Sequence, residues 1–107
     1  MSKFILLYQG PATPMDELSP EQGEEQLKAW TDWFARVGPA LADRGAPFGA
    51  RSAVADDGSS PASSELNGYS IVEADTIDAA KGLVDKHPFL SEGKGRFTVE
   101  IFELVPM

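Results

Sequence analysis

The chain has no cysteine and a single histidine among its 107 residues. Without thiols there are no disulfides, no thiolate metal sites and no cysteine nucleophile. One histidine and scattered carboxylates do not supply a zinc set, and no acidic cluster has the spacing of a calcium loop, so no metal is expected. There is no Gly-rich phosphate loop, and no other motif calls for a cofactor. The serines at 59–64 have no histidine or acid at a distance that suggests a nucleophilic triad.

Basic residues are also in short supply. Nine Lys and Arg face seventeen Asp and Glu, a formal charge of -8, and the nine form no run or stripe. Nucleic-acid binding relies on clustered cations, so that partner is excluded; the acidic surface serves solubility. No apolar run approaches the roughly 18 residues of a membrane span. The N-terminal "MSKFILLYQG" has no apolar region followed by a small-residue cleavage site. The expectation is a soluble, cytoplasmic protein with no membrane partner.

What is present is a globular composition, 42% hydrophobic and 24% charged, of a length that suits one domain over 1–107. Residues 3–9, "KFILLYQ", read as a strand ended by Gly10-Pro11, with 10–18 as loop. Ser19-Pro20-Glu21-Gln22 is a helix start with a capping box and Pro at the first helical position. Leu27, Trp30, Phe34, Val37 and Leu41 recur at helical spacing, and Gly45 is expected to close the helix. Pro39 is expected to kink it or split off a last turn. Residues 47–54 read as a weak strand, the polar 55–64 as a mobile hairpin connection, and 66–74 as a stronger strand. Asp75 or Thr76 caps a second helix whose apolar stripe is Ile77, Ala80, Leu83 and Val84 and which His87-Pro88 ends. After the turn "SEGKG" comes a last strand over 96–105.

The order β-α-β-β-α-β predicts an α+β, ferredoxin-like sandwich: a four-stranded antiparallel sheet with two helices on one face. Both terminal strands are apolar on both faces, with Ile5 and Leu7 opposite Phe4 and Leu6, and Phe102 and Leu104 opposite Val99 and Ile101. Two helices cover one face only. The other predicts a homodimer packed sheet against sheet, with an enclosed space between the sheets.

"KFILLYQG", "WTDWFARVGPALADRG", "ELNGYSIVEADTIDAAKGLVDKHPF" and the terminal "VEIFELVPM", in this order and spacing, resemble the YCII-related family of small bacterial proteins. The resemblance implies a dimeric α+β barrel and a function without an agreed chemistry. Some members carry a His and Asp pair proposed as catalytic, and others lie beside transcriptional regulators. Two departures matter. The Asp-Gly-Pro-Phe signature of one branch is replaced by Asp57-Gly58-Ser59-Ser60-Pro61, and the early-helix histidine is absent, with Trp30 and Trp33 in that helix instead. The dyad therefore does not carry over to this chain.

His87 is the one side chain whose ordinary pKa suits acid–base work. Its place at a helix end makes a structural role the simpler reading, because a histidine there interacts with the last carbonyls and the dipole. Asp85, two residues away, points elsewhere on a helix and forms no dyad with it. Arg51 is expected to pair with a ligand carboxylate and Tyr69 to offer a hydrogen bond; a snorkelling Arg and an ordinary interfacial Tyr are the plainer alternatives. Trp33 flanks the helical stripe, where it shields the sheet edge or lines a pocket, with packing the plainer reading. Two functions follow: a small-molecule-binding or regulatory accessory module, favoured narrowly, and a cofactor-independent enzyme acting on a small organic molecule with His87 as acid/base.

Overall fold

The computed structural model describes residues 1–11, 19–90, 93 and 95–106. Most of the loop expected over 10–18 and of the turn over 91–95 lies outside them. The elements are β1 (Ser2–Gln9), α1 (Pro20–Val37), β2 (Leu41–Asp43), β3 (Leu66–Ala74), α2 (Ile77–Val84) and β4 (Thr98–Leu104). The strands form one antiparallel sheet in the order β2-β3-β1-β4. This is the α+β, ferredoxin-like arrangement expected from the sequence.

Alternation along the strands decides the layering. Phe4, Leu6 and Tyr8 of β1 and Ser70, Val72 and Ala74 of β3 are buried on the helix side, where Trp33, Val37, Ala80 and Val84 meet them. The register places Leu6 beside Ser70 and Ile101, and Tyr8 beside Gly68 and Val99. On the opposite face Ile5 lies between Ile71 and Phe102, and Lys3 pairs with Leu104. Phe102 is 52% exposed and Leu104 40%, so this apolar face is uncovered in the single chain.

α1 starts as expected: the Ser19 side chain accepts from the Gln22 amide and the Gln22 side chain from that of Ser19. It ends earlier, at Val37. Gly38 takes a left-handed conformation (φ 58°), and Pro39, with no amide hydrogen, sits in a single 3-10 turn over Gly38–Ala40. Leu41 thus belongs to β2 and not to the helix. The second strand is correspondingly Leu41–Asp43 and not 47–54, because Leu41 and Asp43 take the places beside Val72 and Ile71 of β3. What remains of the expected strand is an isolated bridge from Pro47 to Gly68, flanked by hydrogen bonds from the Tyr69 amide to the Ala46 carbonyl (3.3 Å) and from the Phe48 amide to that of Asn67 (2.8 Å). Gly45 does not close a helix. It has φ 76° and lies against β3, where a Cβ would overlap the Tyr69 carbonyl oxygen.

The helix face also differs. Trp33 is fully buried at 1% exposure, whereas Leu27, expected in the core stripe, is 70% exposed. α1 turns Trp33 inward because its indole N–H finds the Leu83 carbonyl at the end of α2 (2.9 Å). That end is closed from α1 a second time: Arg36 Nη2 donates to the carbonyl oxygens of Asp85 (2.9 Å) and Lys86 (3.4 Å). α2 is capped at its start by Thr76 and stops at Val84, before the His87-Pro88 pair, since Lys86 adopts φ 58°.

Candidate functional site

Trp33 is turned into the core, and Gly23, Gln26 and Leu27, earlier in α1, are not part of it. A cleft of about 560 Å³ lies between α1 and the segment 44–47 that follows β2. Trp30, Phe34 and Phe89 supply aromatic wall, Arg44 stands on the side of the loop, and Tyr8 and Ser70 come from the sheet beneath. A mostly apolar hollow with a few convergent polar groups, of this size, is what a small organic ligand requires. Tyr8 and Trp30 meet edge to face with ring centroids 5.2 Å apart, and Phe89 lies 5.2 Å from Tyr8 on its other flank.

Under the cleft runs a chain of hydrogen bonds with a fixed direction. The Phe89 amide donates to His87 Nδ1 (3.0 Å), so that nitrogen is the acceptor and the imidazole proton sits on Nε2. Nε2 then donates to the Tyr8 hydroxyl oxygen (3.1 Å). The Tyr8 hydroxyl donates to Ser70 Oγ (2.7 Å), and Ser70 Oγ donates to the Arg44 carbonyl (2.9 Å). Two strands, β1 and β3, and the segments that follow β2 and α2 are tied by one polar thread, and among the described residues no buried side-chain nitrogen or oxygen lacks a partner.

His87 is only 1% exposed, boxed by the rings of Trp33 (4.2 Å), Trp30 (4.8 Å) and Tyr8 (5.1 Å). Burial pushes its pKa down to about 4, helped by the Arg36 guanidinium. Burial raises the Tyr8 hydroxyl to about 12. At neutral pH the thread is therefore uncharged. The lone pair that would make His87 a base is already engaged by a backbone amide.

The residues singled out in the sequence are dispersed. His87 lies beneath the cleft with Tyr8 between. Arg51 lies outside the cleft, and its Nη1 reaches the Ser64 carbonyl (3.3 Å), tying together the two arms of the loop between β2 and β3. In that loop Asp57 accepts from both the amide and the hydroxyl of Ser59, which lowers its pKa. Tyr69 borders the cleft from β3, but its ring stacks on Phe48 (centroids 6.0 Å apart). Trp33 is core, and its neighbours Trp30 and Phe34 line the cleft in its place. Tyr8, Ser70 and Arg44 were missed. The first two carried a signal: each is a hydroxyl at an inward position of an alternating strand, where an apolar residue is the default. Arg44 carried none, because its place depends on a strand at 41–43 that is too short to read.

No family model and no curated sequence matches the chain. Among solved structures it resembles 5-chloro-2-hydroxyhydroquinone dehydrochlorinase (TftG) from Burkholderia phenoliruptrix AC1100, in complex with 2,5-dihydroxybenzoquinone. The TM-score is 0.57 over 96% of this chain and 93% of that one, with 16% sequence identity. The two chains share a fold.

Proposed function

We propose that this protein is a small-molecule-binding module whose ligand is a compact aromatic compound held in the cleft between α1 and the sheet. The observation that carries this reading is the pairing of aromatic walls, Trp30, Phe34 and Phe89, with a hydroxyl-bearing floor at Tyr8 and Ser70. The similar structure of TftG is of a complex with 2,5-dihydroxybenzoquinone, a ring of a size that this cleft accommodates. A regulatory or accessory role suits such a module, since its one histidine is neutral and its free lone pair engaged.

The protein works as a homodimer on this reading, with the outer sheet face as the contact. Ile5, Ile71, Phe102 and Leu104 adjoin there in a patch that a second copy would cover. The cleft is on the helix side of each subunit, so binding does not require a space between the two sheets.

Saturable quenching of tryptophan fluorescence by 2,5-dihydroxybenzoquinone or simple phenols, reduced by Phe34→Ala, is the expected result. Failure of every ring compound to bind at millimolar concentration would remove the reading. The second reading is a cofactor-independent enzyme in which His87 moves a proton through Tyr8; the contact between Nε2 and the Tyr8 hydroxyl favours it. Turnover of a bound ligand, lost in His87→Gln while binding persists, would establish that reading in place of the first.

A further inference from the structure

The directed hydrogen-bond thread specifies more than the size of a ligand. Each hydroxyl hydrogen at the floor is already committed, that of Tyr8 to Ser70 and that of Ser70 to the Arg44 carbonyl. The His87 Nε2 proton is committed to Tyr8, and the backbone amide at Nδ1 prevents the imidazole from taking the other tautomer. A hydroxyl oxygen that accepts once and donates once retains acceptor capacity and no hydrogen to give. Ser70 is fully buried, so the acceptor the floor offers to the cleft is the Tyr8 oxygen. A carbonyl, ether or carboxylate brought to it faces lone pairs, whereas an O–H or N–H finds a partner.

The cation of the cleft is at its side. The Arg44 guanidinium lies 5.0 Å above the Phe34 ring, and among the described residues it makes neither an ion pair nor a side-chain hydrogen bond. Its carbonyl is fixed to Ser70 while its side chain runs along the aromatic wall, so acceptor floor and cationic wall belong to one hollow. Five N–H donors in a planar fork, stacked on a ring and otherwise unengaged, suit a carboxylate.

We infer that the cleft takes a hydroxyaryl carboxylate: a ring between Trp30, Phe34 and Phe89, a neutral hydroxyl donating to the Tyr8 oxygen, whose own hydrogen Ser70 holds, and a carboxylate paired with Arg44. The inference rests on the binding reading above and adds polarity to it. It gives Arg44 the part that the sequence suggested for Arg51, which is occupied at the Ser64 carbonyl.

The test compares para-hydroxybenzoate, para-methoxybenzoate and para-hydroxybenzamide by calorimetric titration near neutral pH, with 2,5-dihydroxybenzoquinone alongside. The hydroxy acid is expected to bind at least about tenfold more tightly than its methyl ether, which has no hydrogen to donate, and than the uncharged amide. Arg44→Gln should erase the preference for acid over amide and keep that for hydroxyl over ether. Ser70→Ala and Tyr8→Phe should do the reverse. Should Tyr8→Phe not fold, Ser70→Ala and the ligand pairs on the wild type carry the test. Equal affinity for hydroxy acid and methyl ether, or for acid and amide, overturns the inference and leaves the binding module intact. Binding of the quinone without any of the acids does the same. No binding by any ring compound removes both.

Discussion

His87 should make this protein sensitive to mild acid, below about pH 6.5. In the unfolded chain the imidazole has its ordinary pKa of 6.5, and in the folded protein burial lowers it to about 4. Below 6.5 the unfolded chain takes up a proton that the folded chain refuses. Stability therefore falls as the pH drops through 6.5, and this loss levels off once the pH passes below the folded value. Linkage between those two values gives a loss of about 2 kcal/mol between about pH 7 and about pH 5, approaching about 3 kcal/mol at the acid limit. His87 is the only histidine, so no other side chain of that type contributes in this window. The measurement is urea denaturation of wild type and His87→Gln at several pH values down to about pH 5. Glutamine takes no proton, so the variant is expected to begin less stable, by about 1–3 kcal/mol for the disturbed hydrogen bonds, and then to stay nearly flat. Parallel pH dependence in the two proteins would refute the assignment of a buried neutral imidazole.

Tyr8→Phe removes the acceptor of His87 Nε2 and the donor to Ser70 together, and should cost about 1–3 kcal/mol in urea denaturation, since both partners stay buried. Trp33→Phe loses the indole bond to the Leu83 carbonyl and leaves a void beside His87; a similar loss is expected, with weakened amide-exchange protection at the end of α2. Gly45→Ala should displace segment 44–47 from β3, because the added Cβ meets the Tyr69 carbonyl, and ligand affinity should fall at least as much as stability. Phe102→Glu, on the outer face, should halve the mass seen by light scattering at micromolar concentration and leave the circular dichroism unchanged; an unchanged mass would remove that face as the contact between copies.

The legible parts of the fold are those in which local chemistry and tertiary packing agree. The capping box at Ser19 and Gln22 and the 66–74 strand were readable because each is specified by a few adjacent residues. The first strand was read to within one residue, as was the break at Pro39 as the split of a last turn. β2 was not readable. Its three residues hold no period, and the more apolar Pro47-Phe48 nearby contains a proline that cannot donate to a ladder. Helix periodicity identified an amphipathic α1 but assigned Leu27 to the core and Trp33 to its flank; the two differ by less than two turns, and only contact with α2 decides which faces inward.

The candidate site separates the two kinds of information most clearly. By itself the sequence determined that thiol chemistry is unavailable, since there is no cysteine, and it determined a sandwich with an apolar outer face through the two-residue period of its strands. Tertiary structure alone decided what His87 is. Its neighbours in the chain suggest a helix end, yet its environment is made by Tyr8, Trp30 and Trp33, which are more than fifty residues distant in sequence. Burial and the proton from the Phe89 amide, neither of which is encoded at position 87, make it neutral and fix its tautomer. The same holds for the acceptor floor: Tyr8 and Ser70 come together only because β1 and β3 pair in that register, and Arg44 joins them only because the chain turns back at Gly45.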